Sequence, residues 1–283
     1  MSGQVVDTEY PNNTSNEQIK QQAIARAAAS GGFNFPTEIV DLPSKGLLYS
    51  KDSALSSGKV EMKYMTAREE DILTNPTLIK QGKALDRLFE ALIVGNGEGK
   101  PINYKELVLG DKNAIMIAAR VLGYGQEYEI QVNIPGTTES FPHIVDLTEV
   151  NNTPIDESLY HNKNEFSFTL PVGKQEIKFK ILTGNEEVEI ANQLERQSLR
   201  GHSKGVTTRL KHQILSIDDN TDKKFIDSFI ENELIARDSL QLRNYIINIS
   251  PDIDLSVHVK NDEFQFNGRV SLPIGLDFFW PGA

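Results

Sequence analysis

The chain has 283 residues, a formal net charge of −11, a pI near 5.0 and no cysteine. That acidity argues against a nucleic-acid or anionic-membrane surface, which needs clustered Lys and Arg, and the missing thiols exclude disulfides, cysteine nucleophiles and Cys-rich zinc sites. No stretch approaches the roughly 18 apolar residues of a membrane span, and the N-terminus lacks the basic-then-apolar order of a secretory signal, so the expected place of synthesis and residence is the cytoplasm.

Residues 1–32 are rich in Asn, Gln, Ser and Ala and poor in large apolar side chains, which predicts a flexible N-terminal arm. Within it Ser15 and the run Ile19 to Ala29, stopped by Gly31-Gly32, have the cap and terminator of a short helix, read either as a marginal helix that frays in isolation or as one that becomes helical on a partner, with Ile19 and Ile24 as the candidate partner contacts. Residues 33–58 read as an extended strap: Pro36 and Pro43 forbid a helix interior, Ser44-Lys45-Gly46 marks a turn, and Phe35, Ile39 and Leu42 suit the edge of a sheet.

A first α+β module is expected over 59–150, a linker over 151–165 and a second module over 166–283. Apolar spacing near 3.6 predicts helices at 67–74, 84–95, 111–123, 185–199, 205–217, 222–235 and 238–249. Alternation predicts strands at 59–65, 127–134, 142–147, 166–170, 176–182, 254–260 and 264–273. The fold class is therefore α+β. The two modules read as an internal duplication, because Val60 to Glu70 reappears as Ile177 to Glu187 at a constant offset of 117, and Asp111 at a helix start answers Asp238.

The motifs that could carry chemistry have simpler readings. Gly95-Asn96-Gly97-Glu98-Gly99-Lys100 resembles a phosphate loop, yet Val94 stands where a glycine is needed and Pro101 replaces Ser or Thr, which leaves a solvated turn. Asp218, Asn220 and Asp222 have calcium-loop spacing, but Lys223 and Phe229 occupy the glycine and closing-Glu positions, which leaves a capping cluster. None of the five histidines has a second histidine at helical spacing. Glu69-Glu70 and Glu186-Glu187 follow Thr66 and Thr183 as capping acids rather than a catalytic pair. No catalytic, cofactor or metal residue is predicted. The aromatic end Phe278-Phe279-Trp280-Pro281 must bury itself, either on the second module or, as a partner-binding anchor, in a neighbouring subunit.

The strap Leu42-Pro43-Ser44-Lys45-Gly46-Leu47-Leu48-Tyr49, the block Met65 to Leu73, the segment Ala236-Arg237-Asp238-Ser239 with Leu242-Arg243, the Pro251-Asp252-Ile253-Asp254 turn and the terminal Phe278-Phe279-Trp280-Pro281 together resemble the baseplate hub proteins of T4-type contractile-tailed bacteriophages. The resemblance covers most of the chain from about Phe35 onward. It implies a non-enzymatic structural subunit of the tail baseplate, present in the virion and assembled in the host cytoplasm, in multiple copies where the particle is symmetric. Its implied partners are other baseplate hub, wedge or tail-tube proteins. An assembly chaperone that leaves before maturation, or a cell-wall-degrading tail enzyme, are the alternatives. Family members carry Cys-x-x-Cys pairs in their hairpins, whereas here Asn133-Ile134-Pro135-Gly136 and Phe264-Gln265-Phe266-Asn267 stand there, so these hairpins must be held by packing.

Overall fold

The structure, a computed structural model, describes residues 36–199 and 204–279 of a mixed α+β fold. The expected arm with Ile19 and Ile24, and Trp280 and Pro281 of the aromatic end, lie outside the described residues. In the first half β1 (Thr37–Asp41), β2 (Lys59–Lys63) and β3 (Ile93–Gly95) form an antiparallel sheet with β2 central. Helices α1 (Ala67–Leu73), α2 (Pro76–Lys80) and α3 (Ala84–Leu92) separate β2 from β3; α4 (Leu109–Tyr124) comes next, and the hairpin of β4 (Glu127–Asn133) and β5 (Ser140–Asp146) closes this half. In the second half β6 (Phe166–Thr169), β7 (Glu176–Phe179) and β8 (Ile214–Ile217) make the corresponding sheet. Helices α5 (Gly184–Ser198) and α6 (Gly205–Gln213) precede β8, helices α7 (Lys223–Asn232) and α8 (Ala236–Ile249) come after it, and β9 (Ser256–Asn261) and β10 (Phe266–Ser271) form the last hairpin.

The likeness of the halves extends to irregularities. The pairing register shifts between Glu61 and Met62 in one sheet and between Lys178 and Phe179 in the other, again 117 positions apart. Each central strand runs into a helix with a reciprocal cap: Glu69 accepts from the Thr66 N–H at 3.0 Å, and Glu186 from the Thr183 N–H at 2.8 Å. Each capping acid also pairs with a lysine from the preceding strand, Lys63 or Lys180. A cap of this kind satisfies otherwise orphaned helix N–H groups and contributes about 1 kcal/mol.

The caps set an acid limit on stability. Burial alone would raise the Glu69 carboxyl, but hydrogen bonds from Lys63 and Thr66 outweigh it and hold the group below its ordinary 4.5. Glu186 is lowered in the same way against its own burial by Lys180 and Thr183. A carboxyl with a depressed folded pKa stabilises the fold above its unfolded pKa, and that contribution is lost as pH falls through the folded value. Urea-unfolding stability should therefore drop below about pH 4.5, and the drop should be shallower in the double variant Glu69→Gln, Glu186→Gln. Equal pH slopes in the two proteins would refute this origin.

Three expectations need correction. The helices predicted over 84–95 and 205–217 end at Leu92 and Gln213, and the next residue in each case opens the third strand of its sheet. Ile93 pairs with Met62 and Ile214 with Phe179, so the β-branched side chains Ile93, Val94, Ile214 and Ile217 that extended the helical pattern serve the third strand of each sheet. The short helix α2 went unpredicted, although its sequence announces it: Asn75 accepts from the N–H groups of Thr77 and Leu78 at 3.0 and 3.2 Å, and Pro76 sits at the first helical position. Residues 151–165, expected to hold turn residues and little else, are docked. Asn152 bridges to Ile253, Thr153 N–H donates to the Asp252 carbonyl at 2.8 Å, and Tyr160 is buried with its hydroxyl donating to the Ile249 carbonyl.

One continuous apolar cluster runs from Leu42 to Phe279 through both halves. Where they meet, Gly110 in the first turn of α4 lies against the 251–252 backbone; a Cβ there would come within 1.9 Å of the Pro251 carbonyl oxygen. Only glycine permits this approach. Asn113 donates to the Asp252 carboxylate at 2.8 Å beside it, the Gly184 N–H donates to the Leu107 carbonyl at 3.0 Å, and Val108 bridges to Thr183. The hairpins also join, with Phe141 of β5 stacked on Phe264 at 5.0 Å and edge-on to Phe266 at 5.7 Å.

Candidate interaction surface

Helix α4 begins on a buried carboxylate. Asp111 accepts from the Ser44 N–H at 2.9 Å, the Ser44 hydroxyl at 2.7 Å and the Tyr49 hydroxyl at 2.6 Å, and Tyr49 in turn accepts from the Val108 N–H at 3.1 Å. Burial pushes the Asp111 carboxyl above its ordinary range, and the bonds from Tyr49 and Ser44 pull against that shift. The turn that delivers Ser44 places Lys45 and Gly46 at φ of 51° and 77°, and a Cβ on Gly46 would meet the Ser56 carbonyl at 2.4 Å. In the second half Asp238, at the same position of α8, accepts from Val172 and Gly173 N–H groups at 3.0 and 2.8 Å. Both acids clamp the loop between the first two strands of their sheet to a helix start. The sequence pairs Asp111 with Asp238 but gives no sign of this role, since Ser44 and Tyr49 are two of many polar residues in their loop.

The aromatic end is placed on neither of the two expected surfaces. Phe278 and Phe279 are buried against the first half of the same chain: Phe278 lies 4.8 Å from the Tyr128 ring and Phe279 lies 5.9 Å from the Phe89 ring. Arg120, itself buried in α4, donates to the Phe278 carbonyl at 2.9 Å and to the carbonyls of Gly125 and Glu127 at 2.9 and 3.2 Å. The reason is geometric, since the joined hairpins deliver the chain end to the first half, where Tyr128 donates to the Pro273 carbonyl at 3.0 Å. These two phenylalanines are thus internal staples and present no free surface to a neighbour.

The remaining reactive groups are committed to local structure. Asn96 accepts from the Glu98 and Lys100 N–H groups at 3.0 and 3.1 Å, which takes up the backbone donors a phosphate would need. Asp218 accepts from the Glu176 N–H, Asn220 from the Asp222 N–H and Asp222 from the Lys224 N–H, so these three oxygens serve three separate turns. Glu70 accepts from the Tyr124 hydroxyl, and Glu187 holds Arg209 through two hydrogen bonds. His212 lies 3.2 Å from the Gln193 side-chain oxygen and 3.7 Å from Glu189. Among the described residues no group of three or more His, Asp or Glu is arranged to hold a metal, and no helix is long and apolar enough to cross a membrane.

What the fold does expose is a groove of about 700 Å³ at the junction of the halves. Leu109 of α4 and Ile247 of α8, with 56% and 70% of their surface accessible, stand in its walls with Ile181, Leu182, Arg209 and Arg243. Exposed apolar side chains clustered in a groove, with arginine beside them, suit a protein-contact surface. The fold and this surface define a two-half α+β protein with an exposed groove at its junction. Comparisons with protein-family models, with curated proteins and with solved structures give no match to this chain.

Proposed function

We propose that the chain is a non-enzymatic structural subunit of a contractile-phage tail baseplate, in its hub region, which binds neighbouring hub, wedge or tail-tube proteins as the tail is built. The observation that carries the reading is what the resembling residues do. Ser44 and Tyr49 of the strap clasp Asp111, the Met65 to Leu73 block supplies a helix cap, Asp238 clamps the second loop, Asp252 ties the halves and Phe278 and Phe279 staple them. Each of these positions makes a contact internal to the fold, and Asp252, which also lines the junction groove, is engaged there by Asn113. No cofactor, nucleic acid or membrane enters this reading. Its setting is the virion after assembly and the host cytoplasm during it.

The junction groove is the surface assigned to a neighbouring baseplate subunit, with Ile247 as its most exposed apolar residue. Ile247→Asp should leave the thermal unfolding midpoint within about 2 °C of the parent, because an exposed substitution costs little stability. It should also cut incorporation into tails at least tenfold in a complementation assay. Normal incorporation would remove the groove from the reading. The chaperone alternative is separated by mass spectrometry of purified tails, in which a chaperone is absent, and the cell-wall enzyme by a clearing band on a zymogram.

A further inference from the structure

In the second half, the chain entering the first strand covers the end of its long helix. Tyr160 is buried, its hydroxyl donates to the Ile249 carbonyl at the end of α8, and its ring meets Phe166 edge-on at 5.4 Å. Four residues later Asn164 bonds through its side chain to both the N–H and the carbonyl of Ile181. Ile181 stands 117 positions after Tyr64, whose N–H donates to the Pro36 carbonyl at 3.2 Å. Pro36 is therefore the counterpart of Asn164. By the offset that relates Asp111 to Asp238, Leu122 near the end of α4 is the counterpart of Ile249.

Among the described residues, the corresponding surface of the first half is left uncovered. It is a groove of about 390 Å³ between β1 and α4, lined among others by Ile39, Val40, Ile117, Val121 and Leu122. The described chain begins at Pro36, two residues before Glu38 on the wall of this groove. Immediately upstream the sequence supplies Phe33 and Phe35, and Phe33 falls within one residue of the spacing that separates Tyr160 from Asn164. Three residues of chain reach about 10 Å, which is ample to lay either ring on α4. Two phenylalanines left in water would each expose roughly 150–250 Å² beside an apolar trough of matching scale.

We propose that Phe33 and Phe35 of this same chain occupy the groove between β1 and α4, covering α4 as Tyr160 covers α8. The N-terminal arm then leaves the body from this face, at a fixed point beside α4. The groove is closed to other proteins, and the junction groove at the start of α4 is left as the contact surface.

The test is methyl NMR on the full chain. Expected are cross-relaxation signals between phenylalanine ring protons and the methyls of Val121 and Leu122, and displacement of those methyl shifts in Phe33→Ala, Phe35→Ala, with the Val132 methyls of the hairpin unmoved. Should that variant unfold, Phe33→Leu keeps the apolar volume but removes the ring current, and the same two methyls should move in a folded protein. Unchanged Val121 and Leu122 shifts in the variants would overturn the proposal. So would ring-to-methyl signals that arise only between labelled and unlabelled chains in a mixed sample, since these would place a second copy in the groove.

Discussion

Phe279→Ala should be the most damaging single substitution in the protein, costing about 3–5 kcal/mol in urea unfolding, the range for large-to-small changes at fully buried aromatics. The ring is wholly buried between Phe89 and Phe278, and it comes from the far end of the chain to fill the first half. A domain of this size has only about 5–15 kcal/mol of net stability, so the loss removes a large share of it. Arg120→Met tests the same staple from the other side: it deletes three hydrogen bonds to carbonyls at once, and it should weaken the fold by about 2–3 kcal/mol, chiefly through the buried Phe278 carbonyl left without its donor. Removal of Phe278 to Ala283 should abolish incorporation, and the cause should be unfolding of the first half, readable as lost hydrogen-exchange protection in α4. Full protection of α4 in the truncated chain would show that the end of the chain is dispensable for the body.

The second large effect is expected at the strap. Asp111→Ala should cost about 3 kcal/mol, because it strands the Ser44 N–H, the Ser44 hydroxyl and the Tyr49 hydroxyl in a buried site. Asp111→Asn should cost less, about 1–2 kcal/mol, since the neutral side chain keeps one acceptor and burial already disfavours the carboxylate charge. Tyr49→Phe combined with Asp111→Ala should be less damaging than the sum of the two, as expected for partners in one network. Strict additivity in a double-mutant cycle would show that the clasp is not a unit. The loop clamped by Asp238 uses two backbone N–H donors and no side chain, so Asp238→Ala is expected to cost less than Asp111→Ala.

Much of the fold can be read directly from the residues, for reasons that are local. The Thr66 and Thr183 caps, the alternation at β2, β4, β7 and β9, and the amphipathic spacing of α3 and α7 are each decided by neighbours within one or two turns of chain. β3 and β8 failed to show because a three- or four-residue strand directly after a helix is too short to show a period of its own; pairing with Met62 and Phe179 decides it. The surface was less legible than the fold. Phe278 and Phe279 announce that they must be buried, but which half receives them depends on the joined hairpins, a long-range fact. Arg120 carried a usable signal, a lone cation in the apolar run Ala114 to Leu122, where burial demands partners. Gly110 carried none, since the Pro251 backbone it admits lies more than a hundred residues away.

We propose that the clasps, caps and staples described above join the two halves, and that the apolar surface at their junction receives other subunits. Cryo-EM of intact tails assembled with this chain tests both statements together: the expected result is density for this fold at the baseplate hub, with Leu109 and Ile247 covered by a neighbouring protein. A complete hub that holds no density for the chain, or that leaves both residues facing solvent, would contradict it.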